Sequence, residues 1–425
     1  MIKEPNLESP RIGELRAAIE AGDGAALETF WAEIERDGTP LIEPHPERPD
    51  ASLVTFVWKE VAPVDSVTVI HFLHGYELSE RDHLQRLCDT NLWYRTDAMN
   101  SSLRTKYRLA PGGVSGLVTG DSYKELSATW IADPLSQGNA QLFEAEEGAA
   151  PELESLLELP DAPPQPWLGR RDGVSRGTVT SHRFASAILD NDRDVFVYTP
   201  PGHELIEAAM PLLIHFDALW RERPMAIADT LDNLIAAGAI PPMVAVFIDN
   251  VDRGVELPCN EQFAKAIATE LVPWMRETFN AGATPGQVAT AGQSYGGLAA
   301  MWLGLQHPDV VGNVLSQSGS FWWGPDYVEL EKRAVLGDAP EYEWLSGQVA
   351  TRPPVPIRIW MEAGSLERAP NQRGILTTLF LSNRHMHHLL QAKGYDVTYR
   401  EYVGAHDFVT WRGSLADGLI HLFGG

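Results

Sequence analysis

Residues 287–309 read QVATAGQSYGGLAAMWLGLQHPD, and the change of period inside this stretch decides the fold. QVATA is a short apolar run of strand length, and GGLAAMWLGLQHP continues as a helix. Between them Gly292-Gln293-Ser294-Tyr295-Gly296 fits G-x-S-x-G. The pattern alone is weak, because Ser and Gly are common residues. Its strand–turn–helix setting is what a nucleophile elbow requires. Such a turn forces the serine into a strained conformation, and Gly292 and Gly296 leave space where a side chain would clash. The competing reading is an ordinary glycine-rich turn between a strand and a helix.

Working outward, DVFVYTPP, PLLIHFDA, MVAVFIDN, VGNVLSQS and IRIWMEAG are further apolar strand candidates, separated by helical segments such as FAKAIATELVPWMRETF. Near-continuous apolar strands alternating with helices indicate a mainly parallel sheet covered on both faces. With the elbow, this predicts an α/β-hydrolase domain over residues 176–425. Upstream the rhythm differs. SLVTFVWKEV, SVTVIHFLHG, NLWYRTDAMN and KYRLAPGG are short β-branched or aromatic runs between polar turns, the marks of an antiparallel sandwich. Before residue 40, LRAAIEAGDGAALETFWAEIERDG has helical spacing interrupted by GDG. Residues 1–160 therefore read as a helical leader plus a smaller all-β domain. The Pro- and Gly-rich PDAPPQPWLGRRDGVS at 160–175 supplies the linker, at 161–175.

Composition narrows the function. A formal net charge of −25 over 425 residues argues against nucleic acid or anionic membrane as a main partner. No run of eighteen apolar residues occurs, and MIKEPNLESPRIGELR lacks the apolar stretch of a signal peptide, so the expectation is a soluble, cytoplasmic chain. The two cysteines, Cys88 and Cys259, fall in different predicted domains, which is no disulfide framework.

A serine hydroxyl needs a base. The fold places that histidine after the last strand, and Gly404-Ala405-His406-Asp407 follows the strand candidate VTYREYV. This position selects His406 from 13 histidines. His385, His387 and His388 sit on a helical segment and read as a solvated face rather than a metal site. The orienting acid belongs after the penultimate strand, where Glu367 follows IRIWMEAGSL. A surface salt bridge is the competing role for Glu367; Glu362 lies on the strand itself, and Asp407 is expected to point elsewhere. Two N–H donors should form the oxyanion hole: Tyr295, after the nucleophile, and Ala218 or Leu219, after PLLIHFD.

Six stretches carry a resemblance: ADPLSQGN at 132–139, IHFDALW at 214–220, RGVELPCNEQF at 253–263, AGQSYGGLAAMWLGLQHPD at 291–309, LSQSGSFWW at 315–323 and GAHDFVTWRG at 404–413. Together they resemble the enterochelin (enterobactin) esterases, from about residue 50 to the C-terminus. The resemblance implies an N-terminal immunoglobulin-like domain ahead of the esterase domain. It also implies a substrate, an iron-loaded catecholate trilactone that enters the cytoplasm intact. Iron then arrives as part of the substrate, and no metal cofactor is implied. There are departures: Asp217-Ala218 stands where relatives usually have Asp-Gly, and Gly-Ala-His replaces Gly-Gly-His. An alanine is tolerable at either turn only with negative φ.

A ferric catecholate is broad, aromatic and anionic. Trp220, Trp322 and Trp323 could stack on it, and Arg253 could meet its charge. The plainer alternatives are packing for the tryptophans and a salt bridge from Arg253 to Glu256. Two other functions compete: a hydrolase of feruloyl or carbohydrate esters, and a ligand-binding protein without turnover. An elbow serves no purpose in binding alone, which argues against the second.

Overall fold

The computed structural model describes residues 9–73, 75–118, 120–141, 152–218, 224–325, 342–368 and 377–424. The chain divides into two compact units, Met1–Pro163 with Val403–Val409, and Pro164–Tyr402 with Thr410–Gly425.

The first unit opens with two helices. Pro10–Glu20 starts where the Ser9 hydroxyl accepts the Ile12 N–H, and Ala26–Asp37 stops at Gly38, whose φ of 82° few other residues would adopt. Their apolar sides, Ile12, Leu15, Phe30, Trp31 and Ile34, pack with Val57, Leu87, Leu92 and Tyr94. The leader is therefore part of this unit's core. Two four-stranded antiparallel sheets follow. One contains Leu41–Pro44, Ala51–Lys59, Leu92–Asn100 and Gln85–Arg86; the other contains Val67–Ile70, Arg104–Pro111, Leu153–Glu158 and Asn139–Gln141. Phe56 of one sheet meets Tyr107 of the other edge-on, with ring centroids 5.0 Å apart. The ADPLSQGN segment closes this core. Buried Asp133 accepts hydrogen bonds from Thr39 Oγ1 (2.7 Å) and the Tyr107 hydroxyl (2.8 Å).

The second unit is built on eight strands: β1 (Thr178–Ser186), β2 (Asn191–Thr199), β3 (Leu212–Phe216), β4 (Val244–Ile248), β5 (Val288–Gln293), β6 (Asn313–Gln317), β7 (Arg358–Gly364) and β8 (Asp396–Tyr402). Their order is β1-β2-β4-β3-β5-β6-β7-β8. β1 and β2 join antiparallel, and all pairs from β4 to β8 are parallel. The central strands β3, β4, β5 and β6 are buried at every residue; β3 and β4 are largely apolar for that reason, while β5 and β6 also bury Thr290, Gln293, Asn313, Ser316 and Gln317. Edge strand β1 is mostly exposed and carries no such signal.

The predicted helix at 263–279 is continuous but widens at Ile267–Leu271 into a π turn that ends two residues before Pro273. Proline lacks an N–H and crowds the preceding turn, and the wider turn accommodates both. Part of the expected linker lies against this unit, because Asn233 Nδ2 donates to the carbonyls of Trp167 and Gly169, each at 2.8 Å. Both cysteines are free. No helix among the described residues is long and apolar enough to cross a membrane.

Candidate active site

The end of β5 carries Ser294 into a conformation with φ 57° and ψ −118°, and the helix Tyr295–Gln306 begins at the next residue. That backbone is strained for a residue with a Cβ. Neighbours hold it there. The Ser294 N–H donates to the Gln317 carbonyl (3.1 Å), and the Ser294 carbonyl accepts from Leu298 N (3.1 Å) and Ser320 N (3.0 Å). The two glycines are there for space. A Cβ at Gly292 would lie 2.5 Å from the Gly296 carbonyl carbon, and one at Gly296 would lie 3.3 Å from Asp217 Oδ2. The Ser294 hydroxyl lies 3.2 Å from that of Ser320.

Beside the elbow, β3 ends at Asp217, which takes the positive φ of 63°. Neither Ala218 nor Ala405 has positive φ, so both alanines are accommodated in the way their Cβ requires. The buried Asp217 carboxylate accepts from Asn250 Nδ2 (2.6 Å) and from Arg253 Nε and Nη2 (2.8 Å each). Arg253 Cζ also lies 5.4 Å from the centroid of the Tyr295 ring.

Here the structure corrects the expected partner of Arg253. Glu256 turns inward and is gripped by buried Arg193 from β2 at 2.7 and 2.9 Å, so Arg253 is left to pair with Asp217. Even so, 43% of the Arg253 side chain stays exposed, enough to meet a ligand. Sequence reading missed Asp217 as the brace of this loop; its signal was an acid placed where the strand must turn.

The tryptophans divide. Trp322 is largely buried, with its ring 6.0 Å from that of Tyr295 at the elbow. Trp323 is only partly buried and packs edge-on against Trp344 and the sheet core. Leu219 and Trp220 lie outside the described residues.

Glu367 follows β7 and is buried rather than on the surface. Its Oε1 accepts from the Ser318 hydroxyl (2.6 Å), and that hydroxyl accepts from Trp411 Nε1 (2.9 Å). His406 occupies the turn after β8, within the Val403–Val409 stretch that groups with the first unit. The Asp407 carboxylate accepts from Thr105 Oγ1 (3.1 Å) and Val409 N (2.9 Å), and so serves the start of the last helix. In the helix Leu379–Ala392, His387 stacks on Tyr399 with centroids 4.9 Å apart, and His385 pairs with Glu343. Among the described residues, no group of three His, Cys, Asp or Glu side chains is arranged to hold a metal.

Residues 186–422 match the family model for putative esterases, and residues 53–168 match that for the enterochelin esterase N-terminal domain. The chain belongs to the enterochelin esterase family. As a member, it is a carboxylic ester hydrolase. It is 32% identical to the iron(III) enterobactin esterase of Dickeya dadantii over 96% of both chains. Identity to the corresponding Escherichia coli K12 esterase is 30%, over 87% of this chain and 91% of that one. Among solved structures, the ferric enterobactin esterase of Salmonella typhimurium superposes with a TM-score of 0.73 at 28% identity, covering 93% of this chain and 98% of that one. The Shigella flexneri enterobactin esterase crystallised in the presence of enterobactin gives 0.69 at 27% identity, over 93% and 97%.

Proposed function

We propose that this enzyme hydrolyses the trilactone backbone of ferric catecholate siderophores of the enterobactin type, with Ser294 as nucleophile, His406 as base and Glu367 as orienting acid. The observation that carries this reading is the strained Ser294 at a strand-to-helix junction, in a chain whose esterase relatives align along nearly its whole length. The order Ser294, Glu367, His406 along the chain is that of α/β-hydrolase triads. Burial of Glu367 suits a residue that orients an imidazole.

The chemistry follows from those roles. His406 takes the Ser294 proton as Oγ attacks a lactone carbonyl carbon. The resulting oxyanion accepts the N–H groups of Tyr295 and Ala218. Collapse breaks the ring C–O bond, and the imidazolium returns the proton to the leaving alkoxide. Water, deprotonated by His406, then attacks the acyl-enzyme and frees Ser294. Iron is cargo in this scheme, and no resident metal takes part. Trp322 and the exposed part of Arg253 are the proposed ligand contacts, and the cytoplasm is the proposed compartment.

The test is incubation of the pure protein with ferric and iron-free trilactones, followed by mass analysis. Linear trimers or shorter acyl-serine or acyl-threonine fragments are expected. Ser294→Ala should lower turnover by roughly three orders of magnitude or more while the fold persists. Unchanged turnover in a folded variant would remove Ser294 from the chemistry.

A further inference from the structure

A tight turn follows β6, and its last residue reaches the nucleophile. Ser318 takes a positive φ of 48°, and Ser318, Gly319 and Ser320 are all buried. The turn is tied down along its length. Ser318 N donates to the Glu362 carbonyl (2.8 Å), and the Ser320 carbonyl accepts from Trp323 N (3.0 Å). Between them, the Gly319 carbonyl accepts from Nδ2 of Asn383 (2.8 Å), buried in the helix Leu379–Ala392. A Cβ at Gly319 would lie 2.5 Å from Ser316 Oγ and 2.7 Å from the Phe321 ring, so the turn is packed as closely as it is hydrogen-bonded.

Ser320 meets Ser294 at two points. Its N–H donates to the Ser294 carbonyl at 3.0 Å, and its Oγ lies 3.2 Å from Ser294 Oγ. Among the described residues, Ser294 Oγ is the one hydrogen-bonding partner of the Ser320 hydroxyl. A hydroxyl has one proton and two lone pairs. In the proposed reaction the Ser294 proton goes to His406 and one lone pair forms the bond to carbon, which leaves the second lone pair for Ser320. The reverse arrangement, with Ser294 donating to Ser320, keeps the proton from the base and is unreactive. We propose that Ser320 is a further catalytic residue: its hydroxyl donates to Ser294 Oγ, aims the attacking lone pair and stabilises the oxygen as its proton leaves. This rests on Ser294 being the nucleophile.

The bond acts on the barrier because it strengthens along the reaction. As Ser294 gives up its proton, Oγ gains negative charge, and a charged acceptor holds a donor more tightly than a neutral one does. The interaction is therefore stronger in the transition state than in the resting enzyme, which is the condition for raising kcat. It acts again in deacylation, when Ser294 Oγ is the leaving oxygen. A separation of 3.2 Å is long for a bond between hydroxyls, as catalytic hydrogen bonds often are before substrate binds.

The experiment follows labelling by a dialkyl fluorophosphate, read by intact mass, in wild type, Ser294→Ala, Ser320→Ala and Ser320→Thr. In labelling the Oγ–P bond forms, fluoride leaves and His406 takes the proton, so the rate reports nucleophilic attack alone. Ser320→Ala removes the hydroxyl but keeps the N–H that holds the Ser294 carbonyl. It should slow labelling about tenfold, the worth of one charge-assisted hydrogen bond. On a small neutral ester kcat should fall by a similar factor, with KM and melting temperature little changed. Ser320→Thr restores the hydroxyl and should recover most of both rates. Should its added methyl prevent folding, Ser320→Cys, which fills the space with a weak donor, should stay as slow as Ser320→Ala. The proposal is overturned if folded Ser320→Ala is labelled at the wild-type rate or faster, if folded Ser320→Thr recovers nothing, or if Ser320→Cys recovers fully. If Ser294→Ala takes no label while these tests fail, the role of Ser320 alone is wrong; if Ser294→Ala is still labelled, the nucleophile assignment is wrong.

Discussion

At the scale of single residues, Arg253 carries the sharpest change of expectation. A free guanidinium near the site would act on an anionic substrate through charge. Here two of its N–H groups are spent on Asp217, the residue before Ala218, one proposed oxyanion donor, and its Cζ lies 5.4 Å from the ring of Tyr295, the other proposed donor. Arg253→Ala should therefore lower kcat for a neutral ester and for the ferric trilactone alike, by roughly ten- to a hundredfold, somewhat less than outright loss of an oxyanion donor. Arg253→Lys keeps the charge but not the two-pronged geometry, so it should recover only a small part. Kinetics on both substrates decide this: a loss confined to KM for the trilactone would make Arg253 a ligand contact and nothing more.

At the scale of elements, the β5-to-helix junction tolerates no added atom, whereas a glycine in a nearby helix does. A Cβ at Gly292 meets Gly296 backbone at 2.5 Å, and backbone cannot swing aside as a side-chain tip could. Gly292→Ala should lower the melting temperature by several degrees and remove most activity. Gly347, exposed in the helix Trp344–Thr351, has nothing within 4 Å of its would-be Cβ. Gly347→Ala should raise stability by about 0.5–1 kcal/mol and leave kcat alone. Melting curves of the two variants side by side check both statements. Equal behaviour would mean the elbow is less tightly packed than its distances say.

At the scale of the whole molecule, the proposed reaction would bring an acidic enzyme together with an anionic substrate. A net charge of −25 repels a ferric catecholate over distances of about a Debye length, near 30 Å at 0.01 M salt and 8 Å at 0.15 M. Capture should therefore speed up as salt is added: kcat/KM for the ferric trilactone should rise between those ionic strengths, while that for a neutral ester stays level. Stopped-flow or steady-state measurements at both salts test this. A flat response for both substrates would mean that local cations, rather than the global field, govern the approach.

Much of this was legible in sequence because it is local or periodic. The buried strands β3 and β4 announce themselves as largely apolar runs, and the elbow as glycines around a serine between a strand and a helix. Edge strand β1 escaped, since an exposed strand has no apolar period to display. What only the tertiary structure decided is which polar side chain meets which. Arg253 and Glu256 are three residues apart and look like partners, yet they pair with Asp217 and Arg193. Gln293, Gln317 and Glu362 look unrelated in sequence, yet parallel pairing sets them in one register. The hydrophobic pattern specifies elements because burial acts on each residue by itself. A buried hydrogen bond is specified by two residues at once, and their meeting is a property of the sheet that brings distant strands together.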